Sequence, residues 1–171
     1  ISERAEKTLR TLERLERWRG HFFNWYDLTT LEPIGGRFVS TVDSGNLAAS
    51  LIVFSEFLDE LGIGELSARA RILASADFSA LYDEKRGLFR IGFDGRKGTL
   101  SDGCYDLYMS EARITSYYAV ANCEVPAGHF KRLARTLTVD GGYVGMLSWT
   151  GTTFEYFMPS LWATNLCQSG H

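Results

Sequence analysis

Our interpretation of the fold depends on one segment, which begins with Tyr105-Asp106-Leu107-Tyr108-Met109-Ser110-Glu111-Ala112-Arg113. Its pattern predicts a helix from residue 105 to about residue 121. At about 100° per residue, the helical face that carries Glu111 is otherwise apolar or aromatic, with Leu107, Tyr108, Ile114, Thr115 and Tyr118. The other side carries Asp106, Ser110 and Arg113. We therefore expect the Glu111 carboxyl group to point into an apolar environment.

Two interpretations of Glu111 are open at this point. Burial disfavours the charged form of a carboxyl group, and an acid that stays protonated near neutral pH can act as a general acid. The alternative is a buried glutamate that hydrogen-bonds to a neighbouring hydroxyl or backbone group and has no chemical role.

Composition sets the broad class of the protein. The 171 residues are 45% hydrophobic and 23% charged, which is typical of one globular domain with a real core. The net charge of −3 gives no reason to expect nucleic acid or an anionic membrane surface as a partner. Without an apolar run of about 18 residues, we expect no membrane span. The aromatic content of 13% suits either an aromatic core or a cleft for flat ligands such as sugar rings.

Metal, nucleotide and thiol chemistry find no support in the sequence. The odd number of cysteines and their spacing predict free thiols at Cys104, Cys123 and Cys167. The histidines are too scattered for a zinc site. Neither a phosphate-binding glycine loop nor a Gly-x-Ser-x-Gly elbow is present. We therefore expect no metal and no cofactor. Because the first residue is Ile rather than Met, we expect a fragment or a processed product.

The periodicity predicts six helices and a few short strands. The helices are expected at 2–19, 47–61, 63–75, 105–121, 127–137 and 152–163, with Asp43 or Ser44 as the N-cap of the second. A hairpin is expected from 81–83 and 87–93, and a strand at 143–149.

Three further acidic residues lie among aromatic, glycine and hydroxyl side chains. They are Asp43, Asp106 and Glu155. Asp43 has a structural alternative as an N-cap, and Asp106 has one as a charge in the first turn of its helix. Glu155 is flanked by aromatic residues, and Trp149 on the preceding turn is suited to stack on a pyranose ring. Carboxylates combined with aromatic side chains are typical of a carbohydrate cleft, since glycoside cleavage needs two acids that straddle the bond.

Five blocks taken together resemble a known family. They lie at 18–27, 40–46, 77–83, 105–113 and 148–159. In their order and their residues, these blocks resemble the glycoamylase-like central domain of bacterial cyclic β-1,2-glucan synthases. That domain is related to endo-β-1,2-glucanases. The resemblance covers about residues 12–166.

This resemblance implies a mainly α fold, namely part of an (α/α)6 toroid with short β-hairpins, in a single and incomplete domain at 1–171. It implies hydrolysis or transglycosylation of a β-1,2-glucan oligosaccharide by two carboxylates, with Glu111 as the acid/base residue. Asp43, Asp106 and Glu155 match blocks of the same cleft, and we expect Trp25, Trp149 and Tyr156 to hold sugar rings. A full-length synthase of this type would place the domain on the cytoplasmic side of a bacterial inner membrane.

The chain departs from the family pattern in two places. A downstream block of Gly-Ile-Ser-Glu-Ser type is not present, so we expect the second catalytic carboxylate to lie beyond the C-terminus and catalysis to be weak. The stretch between Asn46 and Asp77 looks shorter than in the family. Twelve helices with loops need roughly 190 residues, so we expect half a toroid whose open helix faces favour a homo-oligomer.

Two other hypotheses stay open. The second hypothesis is that the chain is a non-catalytic glucan-binding or scaffolding module, which has the cleft but does not catalyse a reaction. The third possibility is a fragment with no function of its own.

Overall fold

The computed structural model of the protein describes residues 2–162, in which helices alternate with short strands. The α-helices are Ser2–Arg14 (α1), Thr41–Glu60 (α2), Gly64–Ala74 (α3), Arg113–Ala121 (α4) and Thr153–Phe157 (α5). Single 3-10 turns occupy Phe78–Leu81, Ala127–Lys131 and Met158–Leu161. Within this part of the chain, no helix is long and apolar enough to cross a membrane.

The strands are two to four residues long and form four small antiparallel sheets. They are Arg17–Trp18 (β1), His21–Phe22 (β2), Phe38–Ser40 (β3), Tyr82–Asp83 (β4), Leu88–Arg90 (β5), Gly92–Asp94 (β6), Thr99–Leu100 (β7), Cys104–Tyr105 (β8), Leu137–Asp140 (β9) and Tyr143–Met146 (β10). The sheet orders are β1-β2, β3-β6-β7, β4-β5-β8 and β9-β10. Sheets this small are marginal by themselves, so their stability depends on packing against the helices.

The prediction of a mainly α fold, a partial (α/α)6 toroid, is wrong. Of residues 2–162, 44% are helical and 19% are in strands or bridges, and the strands are spread over several small sheets. The error arises because apolar periodicity predicts helices in segments whose backbone instead pairs with other strands. Residue 137, expected at the end of a helix, is the first residue of β9, and only Ala127–Lys131 of that segment is helical.

The segment around Glu111 shows the same effect. The helix expected from residue 105 begins at Arg113. Cys104–Tyr105 pairs with β5 instead, and the carbonyl of Asp106 accepts a hydrogen bond from the amide of Ala134 at 2.7 Å. These pairings engage backbone groups that would otherwise form hydrogen bonds within a helix. Glu111 therefore lies in a turn before α4.

The ends of the other helices also differ from the predictions. The N-cap of α2 is Ser40, whose hydroxyl accepts from the amide of Asp43 at 3.2 Å, and neither Asp43 nor Ser44 is the cap. The first helix ends at Arg14 rather than at residue 19. The last helix gives way to a 3-10 turn at Met158, and its predicted end at residue 163 lies outside the described residues. The helix predicted at 63–75 and the 81–93 hairpin are confirmed.

Two apolar clusters form the core. The first joins α1, α2 and α3, and its centre includes Leu9 and Leu58, both fully buried. The second lies where α4 meets the β4-β5-β8 sheet, around Phe78, Phe89 and Ala119. Away from both clusters, the β9-β10 hairpin exposes apolar side chains, among them Leu137, Val139 and Val144. The predicted homo-oligomer stays a prediction.

Helices α2 and α4 cross in close contact at Gly45. A Cβ atom at this position would lie 2.0 Å from Oγ1 of Thr115 and 2.7 Å from its Cα atom. The Thr115 hydroxyl donates to the carbonyl of Thr41 at 2.9 Å, in the first turn of α2. The crossing therefore requires a glycine, and it holds the start of α2 against α4.

We expect Gly45→Ala to lower the free energy of unfolding by about 2 kcal/mol or more, because the added methyl group overpacks a buried helix crossing. Chemical unfolding monitored by circular dichroism measures this loss. The matched control is Gly128→Ala, where an added Cβ meets nothing within 4 Å. Equal stability of the two variants would contradict the close crossing.

Candidate functional site

An open cavity of about 200 Å³ lies between the turn before α4 and the segment that leads into α5. It is lined by Ile91, Tyr105, Ser110, Glu111, Trp149, Thr150, Thr152, Phe154 and Glu155. Three of the residues predicted from the sequence, Glu111, Trp149 and Glu155, are therefore brought to one cavity.

Glu111 is half-buried at the wall of this cavity. Its carboxylate accepts a long hydrogen bond from the Ser110 hydroxyl, at 3.4 Å, and no other hydrogen bond to it is found among residues 2–162. The predicted apolar helical face around Glu111 is wrong, because the residue precedes the helix. The turn leaves the carboxyl group available to a ligand.

Tyr105 lies in the electrostatic field of two carboxylates. Burial, followed by the negative charges of Glu111 and Asp43, raises the pKa of the Tyr105 phenol to about 12. Tyr105 therefore keeps its proton at ordinary pH and presents a hydrogen-bond donor in the cavity. The sequence analysis missed this role, although Tyr105 opens the block that contains Glu111.

Asp43 is placed near this site by the first turn of α2. It is the third residue of the helix and is exposed. One carboxylate oxygen accepts from the side-chain amide of Asn24 at 3.1 Å, and the Asn24 carbonyl oxygen accepts from the amide of Ser40 at 3.0 Å. Asn24, which sequence reasoning also missed, thus ties the loop before β3 to Asp43.

Glu155 has a different environment from Glu111, although both line the cavity. It is 5% exposed, and its carboxylate accepts hydrogen bonds from both the amide and the hydroxyl of Thr150 and of Thr152, and from the hydroxyl of Ser148. Burial by itself raises the pKa of Glu155, but these hydrogen bonds outweigh burial and lower the pKa to about 2. Glu155 is therefore an ionised anchor for the loop 148–152, and it completes a capping box with Thr152 at the start of α5.

This anchored loop positions Trp149 at the mouth of the cavity. Trp149 is 55% exposed, so part of its side chain is accessible to a ligand. The neighbouring Phe154 is also half-exposed and lines the same cavity. Such a pair of flat apolar surfaces beside polar groups is suited to a sugar ring.

Asp43 and three other residues predicted for the site are not among those that line the cavity. Trp25 is 66% exposed on a separate loop. Asp106 is exposed and takes part through its backbone carbonyl. Tyr156 donates its hydroxyl proton to the carbonyl of Met146 at 2.5 Å, which fastens α5 to β10.

No group of three or more potential metal ligands is found among residues 2–162. Cys104 and Cys123 are free thiols, as predicted, and Cys167 lies outside the described residues.

The comparisons with known proteins point to a glucan synthase. No model of a known protein family matches the chain. The chain is similar to the cyclic beta-(1,2)-glucan synthase NdvB of Rhizobium meliloti (strain 1021), with 26% identity over an aligned region that covers 92% of the chain. The chain is thus related to that synthase.

The match is partial in two respects. The chain spans 10% of the length of the synthase. The aligned region runs over 286 residues, which exceeds the 171 residues of this chain, so the synthase has residues there with no counterpart here. The assignment to a glycoamylase-like domain stays a prediction.

We expect the hydrogen bonds that hold the loop 148–152 to depend on pH through Glu155. Because the folded pKa of about 2 lies below the ordinary value of 4.5, the stabilisation is present above about pH 4.5 and is lost as the pH falls toward 2. The protection of the Thr150 and Thr152 amides against hydrogen exchange, corrected for the intrinsic rate, measures this loss.

In the same experiment at pH 6, Glu155→Gln should reduce the protection of these amides about tenfold, which corresponds to the loss of a charge-assisted hydrogen bond. The matched control is Glu32→Gln, an exposed glutamate whose side chain makes no hydrogen bond among the described residues. Unchanged protection in the Glu155 variant would show that the carboxylate does not anchor the loop.

Proposed function

We propose that the chain is a carbohydrate-active domain that binds a β-1,2-glucan oligosaccharide in the cavity and acts on its glycosidic bond through Glu111. The observation that carries the proposal is the juxtaposition, in one open cavity, of an available carboxyl group at Glu111 and an exposed indole at Trp149. The similarity to a cyclic β-1,2-glucan synthase supports the choice of this glucan over other carbohydrates.

The polar and apolar walls of the cavity would divide the work of binding. Trp149 and Phe154 offer flat surfaces for the apolar face of a pyranose ring. The Tyr105 hydroxyl, in the cavity wall, donates to a sugar oxygen, and the carboxylate of Asp43, exposed beside the cavity, accepts from sugar hydroxyl groups. A sugar held in this way would bring a glycosidic oxygen within reach of Glu111.

Glu111 is the proposed general acid of the site. In its protonated form it would donate its proton to the departing glycosidic oxygen as the bond to the anomeric carbon breaks. A water molecule or the hydroxyl of an acceptor sugar would bond to that carbon and release its proton to solvent. Glu155, the other carboxylate that lines the cavity, is ionised and its oxygens are occupied by donors from its own loop. Because glycoside cleavage needs two carboxyl groups and this cavity offers one that is free, we propose that binding is retained and turnover is slow.

The second candidate function is a glucan-binding module without catalysis. The observation in its favour is the same engagement of Glu155, which leaves the cavity without a second reactive acid. The two functions share a ligand and differ in whether Glu111 does chemistry.

The binding prediction compares two exposed tryptophans. We expect Trp149→Ala to weaken the binding of linear β-1,2-glucooligosaccharides about tenfold or more, because it removes the stacking surface of the cavity. Trp25→Ala is the matched control and should leave the affinity unchanged, since Trp25 lies outside the cavity lining. Isothermal titration calorimetry measures both. A folded wild-type protein that binds no glucooligosaccharide would refute the proposed function.

The catalytic prediction concerns Glu111 alone. Glu111→Gln should preserve the affinity for glucooligosaccharides within about threefold and abolish turnover, because the amide keeps the shape of the side chain and has no acidic proton. Chromatography of the products from an oligosaccharide labelled at its reducing end measures turnover. Glucan binding without any turnover in the wild-type protein would assign the chain to the non-catalytic module instead.

A further inference from the structure

Arg113 is a buried cation without an acidic partner. It is 9% exposed, and none of the ion pairs among residues 2–162 involves it. Its guanidinium lies over the ring of Tyr108, 4.6 Å from the ring centroid, and Nη1 makes a weak contact with the sulfur of Met109 at 3.7 Å. Its Nε atom is buried without a hydrogen-bond partner. Buried charges are ordinarily paired, because an isolated one carries a large desolvation cost.

A second guanidinium lies over the same ring. Arg135 is exposed, and its Cζ atom is 4.3 Å from the centroid of the Tyr108 ring. It too lacks an acidic partner among the described residues, and only Nη1 is engaged, with the carbonyls of Phe130 at 3.0 Å and Leu133 at 2.8 Å. These two bonds hold the guanidinium in place while its other nitrogens stay available as donors.

The backbone keeps the two arginines at this distance from the ring. The amide of Tyr108 donates to the carbonyl of Ala134 at 2.9 Å, and Leu107 and Ala134 form a parallel bridge. The segment that carries Tyr108 is therefore fixed to the residue next to Arg135. Two like charges held near one ring repel each other, and an anion bound beside them would relieve this repulsion.

The positive charges of the two arginines also act on the pKa of Tyr108. Burial raises the pKa of the Tyr108 phenol, but the hydrogen bonds from Tyr117 and Arg113 and the charges of both arginines outweigh burial and lower the pKa below its usual value.

We propose that Arg113, Arg135 and Tyr108 form a binding site for an oxoanion, namely a carboxylate, sulfate or phosphate group. Arg135 supplies the accessible donors, in the fork geometry that suits such groups. Arg113 supplies a second, desolvated charge next to the same ring. None of the three residues lines the cavity of Glu111, so this site is separate from the proposed sugar site.

The test is calorimetric titration of inorganic phosphate, sulfate and acetate into the protein at low salt, with chloride of equal ionic strength as the reference. We expect saturable binding of at least one of the three oxoanions. Arg135→Gln should weaken this binding about tenfold or more, as expected for the loss of a charge-assisted pair. Arg132→Gln is the matched control, an exposed arginine three residues away, and should leave binding unchanged.

A second measurement does not depend on the buried arginine and separates specific binding from a general charge effect. Bound oxoanion should raise the pKa of Tyr108, seen as a shift of tyrosinate absorbance to higher pH that is absent in Tyr108→Phe. Preference for acetate would indicate a carboxylate ligand, and preference for phosphate and sulfate a tetrahedral one. The proposal is overturned if no oxoanion binds, or if Arg132→Gln weakens binding as much as Arg135→Gln.

Discussion

The close crossing of α2 and α4 is the constraint on which the candidate site depends. With no side chain at Gly45, the backbone of α2 approaches Thr115 closely enough for the Thr115 hydroxyl to bond the carbonyl of Thr41. This contact sets the first turn of α2, which carries Asp43, beside the strand and turn that carry Tyr105 and Glu111. The electrostatic coupling of Tyr105 to both acids follows from it.

The two glutamates of the cavity show how environment separates similar groups. Glu155 is deeply buried, yet donors on Ser148, Thr150 and Thr152 keep it ionised and turn it into a loop anchor. Glu111 meets one weak donor and faces the cavity. Hydrogen bonding, rather than burial, therefore decides which acid is structural and which is free for chemistry.

The relation to a cyclic β-1,2-glucan synthase is confirmed, whereas the toroid fold that the resemblance implied is wrong. The blocks that carried it lie mostly in turns, short strands and helix starts, such as the β1-β2 hairpin and the turn before α4. Similarity in such segments indicates which residues surround a site, but it does not predict the number of helices around that site. The aligned synthase region also contains residues that this chain does not have, so a count of toroid helices does not transfer.

The sequence by itself determined the helix at 63–75, the 81–93 hairpin and the free thiols at Cys104 and Cys123. Of the seven residues that it predicted for the site, Glu111, Trp149 and Glu155 line one cavity. It did not determine where the helix after Tyr105 begins, because the backbone of 104–108 bonds to residues distant in sequence. The tertiary structure alone decided that Glu155 is an anchor, that Tyr105 joins the site and that Trp25 does not. The physical reason is that pKa values and accessibility depend on neighbours brought together by long-range contacts, which periodicity along the chain does not encode.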